Sequence, residues 1–171
     1  MGFTYGGVHS SDKGIYKARP RRPILPPVEA RLLDVPGRAG AYYQGHRYGV
    51  RELRVDVVLA ETTRQDLRNT VRSLAAWLAP DAGPRPLKFD DEPDKEWLAV
   101  LSGETDLEEL ALAGFGTLTF LCPHPFALGN TVQVPLADGT VINAGGTAPT
   151  WPVIRATAQQ DMTYLAIATQ D

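Results

Sequence analysis

The sequence predicts a mainly β protein of the α+β kind: an antiparallel, β-sandwich-like domain with one packed helix and an extended N-terminal arm. Three observations carry that expectation. Between Val50 and Ala60 apolar and polar residues alternate, with Leu53, Val55, Val57 and Leu59 on one side and Glu52, Arg54 and Asp56 on the other. Period two is the mark of a strand with one buried face. The next segment changes period: Leu67, Val71, Leu74, Ala75 and Leu78 share one helical face, Pro80 stops the run, and Thr62 with Gln65 three residues later reads as a capping box. Beyond the helix, short β-prone runs alternate with turn residues, as in antiparallel hairpins.

The elements follow in chain order. Residues 1–29 lack apolar periodicity, and Pro20, Pro23, Pro26 and Pro27 favour extended polyproline-like backbone, which predicts the arm. Residues 30–36 read as a short strand, the stretch from Pro36 to Gly40 as a turn, and Tyr42 and Tyr43 as the start of another extended piece. Residues 86–90 and 96–102 flank the acidic turn Asp91-Glu92-Pro93-Asp94 as a hairpin, and residues 106–113 and 116–122 form a further pair. Pro123 and Pro125 end the pattern, so residues 30–127 make one domain. Residues 128–171 carry short Val/Ile pieces split by Asp138-Gly139 and by the stretch from Asn143 to Gly146. A segment of this size does not bury a stable core unaided, and it reads either as the opening of a second, partial β domain or as strands that pair with something else.

The composition excludes several classes. With 43% hydrophobic residues in 171 the chain holds a real core and is no disordered tail. No apolar run is long enough to span a bilayer, and no membrane partner is expected. The single cysteine, Cys122, rules out an intrachain disulfide and an all-cysteine metal site, and its place at the end of an apolar strand predicts a buried, inert thiol. His9, His46 and His124 are scattered, without metal-ligand spacing. Gly114-Phe115-Gly116 lacks the third glycine of a dinucleotide fingerprint, and Val100 stands where a nucleophile elbow around Ser102 needs glycine. The cluster Asp90, Asp91, Glu92, Asp94 and Glu96 lacks the glycine and the terminal glutamate of a calcium loop and reads as a solvated hairpin tip. Glu104, Asp106, Glu108 and Glu109 read as an exposed strand face, and Trp77, Trp97 and Trp151 as core or interface anchors. No catalytic residue, metal or cofactor is expected.

The net charge of −3 conceals an asymmetry. Residues 1–54 carry ten basic against four acidic residues, a balance of +6; the remainder carries seven against sixteen, or −9. Such a split suits either nucleic-acid binding by the front or head-to-tail contact between copies. Under the second reading the interface candidates are Arg19, Arg21 and Arg22 on the arm, facing Asp90, Asp91, Glu92 and Asp94 on the hairpin or Glu104 and Asp106 beyond it.

Several segments, in this order, resemble the distal tail proteins of siphophages. They are His9-Ser10-Ser11-Asp12-Lys13-Gly14-Ile15; Arg22-Pro23-Ile24-Leu25-Pro26 followed by Val35-Pro36-Gly37-Arg38-Ala39-Gly40; Arg72-Ser73-Leu74-Ala75-Ala76-Trp77-Leu78; the stretch from Leu87 to Lys95 with Ala99-Val100-Leu101-Ser102-Gly103; and the stretch from Gly116 to Phe126. The stretch from Asn143 to Ile154 is similar to the first strands of that family's galectin-like second domain. The resemblance implies a structural virion protein at the tail tip, assembled in the host cytoplasm as a homohexameric baseplate ring. Its implied partners are the major tail tube protein, the tail-associated hub protein and the tape-measure protein, with DNA passing through a central channel. A carbohydrate-binding module for host adhesion is the alternative, resting on the lectin-like second domain. On the residue pattern alone, a chelator is expected to leave the thermal transition unmoved, and elemental analysis to find no stoichiometric metal.

Overall fold

A computed structural model of the chain describes residues 1–59, 63–103 and 115–135, together with scattered positions between 141 and 157. The strands are β1 (Phe3–Tyr5), β2 (Val8–His9), β3 (Ile15–Arg21), β4 (Val28–Asp34), β5 (Ala41–Tyr48), β6 (Arg51–Leu59), β7 (Arg85–Phe89), β8 (Glu92–Leu101) and β9 (Phe115–Cys122), with the helix α1 (Arg64–Leu78) between β6 and β7. Seven strands run in the order β2-β1-β7-β8-β9-β6-β3, and β4 and β5 form a separate two-stranded sheet; all the pairings are antiparallel. Strand β8 joins two layers. Its middle pairs with β7 through Trp97, Leu98 and Ala99, and its end with β9 through Val100 and Leu101. The layers meet face to face, for the rings of Phe3 and Tyr5 in the first lie 5.8 Å and 5.2 Å from that of Phe120 in the second.

The alternation in β6 sets the register of the second layer. Leu53 and Val55 stand opposite Phe120 and Leu118 of β9, and all four are buried. Burial of each such side chain contributes about 1.5–3 kcal/mol. The helix adds the other wall, with Leu67, Leu74, Trp77 and Leu78 buried. Ala75, expected inside, is exposed, and Trp77 covers that ground instead. The cap is Thr63, one residue beyond the expected Thr62, and its Oγ1 accepts the Asp66 N–H at 3.2 Å. Asp66 stands where Gln65 was expected, and its Oδ2 accepts the Thr63 hydroxyl at 2.5 Å.

The indole of Trp77 stacks on Phe3 at 5.8 Å and meets Tyr5 edge-on at 6.0 Å, while its N–H donates to the Tyr5 carbonyl at 3.0 Å. The helix C-terminus is closed by Arg85, which donates to the carbonyls of Trp77 and Ala79 and lies 4.3 Å above the Tyr5 ring. These carbonyls are among those a helix end leaves without partners. Gly6, at φ 58, lets the chain turn under Arg85, whose side chain would lie 3.2 Å from a Cβ there.

Three expectations need correction. The segment of residues 1–29 is no free extended arm: Phe3–Tyr5, Val8–His9 and Ile15–Arg21 are strands of the seven-stranded sheet, a 3-10 turn over Ser10–Lys13 links the second to the third, and Phe3, Tyr5, Ile15 and Ala18 are buried. The pattern was invisible because β1 has three residues and β3 carries a bulge between Ile15 and Lys17, which spaces its buried residues by three. Pro20 sits in an edge strand, where a missing N–H is tolerated. The acidic turn is the two-residue Asp90-Asp91, with Phe89 opposite Glu92, so Glu92, Pro93 and Asp94 belong to β8. The first compact unit runs from Met1 to Val132 and the second from Gln133 to Asp171, past the expected break at 127. Backbone bonds of 2.9 Å and 2.7 Å between Glu96 and Leu128 carry the first unit beyond that point. The strand expected over 106–113 lies outside the described residues.

Trp77→Phe, which keeps much of the packing but leaves the Tyr5 carbonyl without its donor, should destabilise the first unit by about 1–3 kcal/mol. Tyr16→Ala, at a side chain 78% exposed, should stay within about 0.5 kcal/mol of wild type. Urea melts followed by tryptophan fluorescence for the second variant and by circular dichroism for both check the pair.

Candidate interaction surface

The charged residues singled out in the sequence do converge, but inside one chain. Arg21 ends β3, and Pro23 keeps the backbone extended after Arg22, so the two side chains project from neighbouring positions to different partners. Arg22 forks between Asp91 and Glu92 at the β7–β8 turn, with Nη1 to Glu92 Oε2 at 2.6 Å, and its guanidinium lies 5.1 Å from the Phe89 ring centre. Arg21 pairs with Asp56 at 2.7 Å, and Asp56 also accepts the Thr117 hydroxyl at 3.0 Å. Arg54 reaches Glu52 at 3.5 Å. Arg21, Arg22 and Arg54 line an open pocket with Pro23 and Glu52. The three guanidiniums are paired with Asp56, with Asp91 and Glu92, and with Glu52, so they carry little surplus positive charge toward a phosphate backbone.

The other candidates stand apart. Arg19 is exposed and makes no ion pair among the described residues. Asp90 accepts the Gly2 N–H at 2.5 Å and contacts His9 Nε2 at 3.2 Å, tying the turn to the N-terminal strands. Gly2 is required there, since a Cβ would lie 2.7 Å from Ser10 Oγ and 2.9 Å from the His9 ring. Asp94 bonds the adjacent Lys95 at 2.9 Å, which holds its carboxyl below the usual range. Glu104 and Asp106 lie outside the described residues.

The most exposed structured element is one that sequence reasoning did not single out as a surface. In the β4–β5 hairpin Val28, Ala30 and Leu32 stand opposite Tyr48, His46 and Tyr43, and Glu29, Arg31 and Leu33 opposite Arg47, Gly45 and Tyr42. A bulge between Arg31 and Leu32 absorbs the extra residue on β5. Alternation assigns the first set to one face and the second to the other. The first face is apolar and aromatic, yet Leu32 is 59% and Tyr43 63% exposed. At its base Tyr48 meets Phe126 edge-on at 5.2 Å. Further out, His46 lies 5.0 Å from Tyr48 and its Nδ1 is 2.8 Å from the Tyr43 hydroxyl. Alternation from Val28 to Leu32 is visible in the sequence, but it marks a strand with one apolar face and does not say what covers that face.

Below the hairpin base, Arg51 is buried opposite Cys122. Its guanidinium donates to the Ile24 carbonyl at 3.2 Å while Nε has no partner, and burial pushes its pKa down. Burial pushes the Cys122 thiol up to about 11, against the opposing pull of the Arg51 charge.

The family model of the phage tail protein RIFT-related domain matches residues 8–122. Among solved structures the chain is similar to the Dit protein of phage SPP1, described as a paradigm of the hub adsorption apparatus in phages infecting Gram-positive hosts. The two share 25% identity with a TM-score of 0.61, over 75% of this chain and 52% of that one, so the match spans about half the length of the SPP1 protein. No curated protein matches the sequence.

With its thiol pKa near 11, native Cys122 should hold roughly a hundredfold less thiolate at pH 8 than an ordinary cysteine. Iodoacetamide should therefore leave it unmodified in the folded protein and alkylate it in urea, as read by intact mass.

Proposed function

Since the chain belongs to the phage tail protein RIFT-related family, whose model covers residues 8–122, we propose that it acts as a structural ring subunit at the tip of a siphophage tail. In this reading six copies close into a ring between the major tail tube protein above and the tail-associated hub protein below. The ring leaves a channel through which the tape-measure protein and DNA pass. The second unit is then part of a galectin-like β domain carried on the ring. The observation that carries the proposal is the shared fold with SPP1 Dit across three quarters of this chain, joined to the family match.

The physical picture supports the same reading. Arg21, Arg22 and Arg54 pair with carboxylates of their own chain, which leaves these three less free for phosphate contact. A hairpin with an uncovered apolar face suits a subunit built to be completed by others. Class averages of the purified chain by negative-stain microscopy should show closed rings of six-fold symmetry, and native mass spectrometry should give six copies. A particle of one copy in both measurements, across the micromolar range, would remove the ring.

A further inference from the structure

We propose that the β4–β5 hairpin and the segment from Pro123 to Leu128 open and close as one cooperative unit, coupled through a row of aromatic side chains. Whatever holds the hairpin then also holds the chain that leads toward the second unit. The device is complete within one copy and does not require the ring.

The row is visible in the ring geometry. The His46 ring lies 5.0 Å from that of Tyr48 at an interplanar angle of 81°, Tyr48 lies 5.2 Å from Phe126 at 79°, and Phe126 lies 6.0 Å from His124 at 72°. Three edge-on contacts in succession thus run from the middle of β5 to the residues that follow β9. Each end is fixed by a polar contact. His46 Nδ1 is 2.8 Å from the Tyr43 hydroxyl, further out on the hairpin. His124 Nδ1 donates to the Phe126 carbonyl at 3.1 Å, across Pro125. Pro123 and Pro125 fix φ on either side of His124, so this stretch has little backbone freedom of its own.

The row acts as a coupling because the elements it joins are each weakly held. Strands β4 and β5 pair only with each other, and a lone two-stranded sheet is marginal in water. Among the described residues, Tyr48–Phe126 is the ring contact between the hairpin and the rest of the first unit. Arg51 donates to the Ile24 carbonyl at 3.2 Å, but that bond lies outside the two strands. On the other side, the chain past β9 is tied by one isolated bridge, Glu96 with Leu128, and by the small side chain of Ala127 against the core. An edge-on aromatic pair favours the closed arrangement by about two- to tenfold beyond the area it buries. Inside a rigid core a factor of that size is minor. Between two elements at the low end of local stability it is enough to make their openings concerted. Such coupling is reciprocal, so fixing either element steadies the other by the same factor. The first unit ends at Val132 and the second begins at Gln133, which puts the coupled segment just ahead of the boundary between them.

Native-state hydrogen exchange on the full chain is the test. In wild type under rising, sub-denaturing urea, the paired amides of β4 and β5 should share one opening with those of Leu128 and Glu96, whose bonds tie the segment to β8. Phe126→Ala should speed exchange across β4 and β5 by about two- to tenfold, and Tyr48→Ala should speed Leu128 and Glu96 by a similar factor. In the Phe126→Ala background, Tyr48→Ala should add nothing at Leu128 and Glu96, because the contact is already gone. Unchanged amides in β6 and β9 report that the body stays folded, and the wild-type reading stands without any variant. Separate openings in wild type, or variants whose effects stop at their own element or simply add, would overturn the coupling.

Discussion

The indole of Trp77 touches three parts of the first unit at once. It comes from the last turn of the helix, stacks on Phe3, and gives its proton to the backbone of Tyr5, while Phe3 and Tyr5 in turn lie against Phe120 of the other layer. A strand of three residues has too few ladder bonds to be held by pairing alone, so β1 depends on this aromatic contact for its place. Arg85 extends the same junction by closing the helix end and covering the Tyr5 ring. Because β1 pairs with β7 and also carries the rings that meet β9, loss of this contact would loosen both layers together.

Around that core the charges are arranged to be satisfied locally. The carboxylates at the β7–β8 turn take up Arg22, Asp56 takes up Arg21, and Asp90 receives the Gly2 amide. Exposed pairs of this kind contribute about 0–1 kcal/mol each, and their larger effect is to remove free charge from the rim. The hairpin is built on the opposite plan. Arg31 and Arg47 make no ion pair among the described residues, and Leu32, Leu33, Tyr42 and Tyr43 are exposed.

That contrast ties fold to function in a family of phage tail proteins. The layers bury the Cys122 thiol and Arg51 in a close-packed interior. Elements that leave the layers are free to carry contacts. In the reading proposed here the layered block is the unit of the ring.

By itself the sequence determined the strand β6, the helix, the hairpin around the acidic turn and the inert cysteine. Each of these follows from a local signal: period two in Leu53, Val55, Val57 and Leu59, period 3.6 ending at Pro80, turn chemistry, and a thiol within an apolar run. The tail-tip resemblance was also legible, since it rests on ordered short segments. What tertiary structure decided is where the non-periodic pieces go and which charges meet. The short β1 and the bulged β3 show no period, yet contact with Trp77 and pairing with β6 draw them into the core. Arg22 and Asp91 are 69 positions apart, and no spacing rule links them. The apolar face of β4 reads in sequence like any half-buried strand. Only the fold shows that Val28 and Leu32 are left about half exposed, because burial is a property of neighbours in space and alternation is a property of the chain alone.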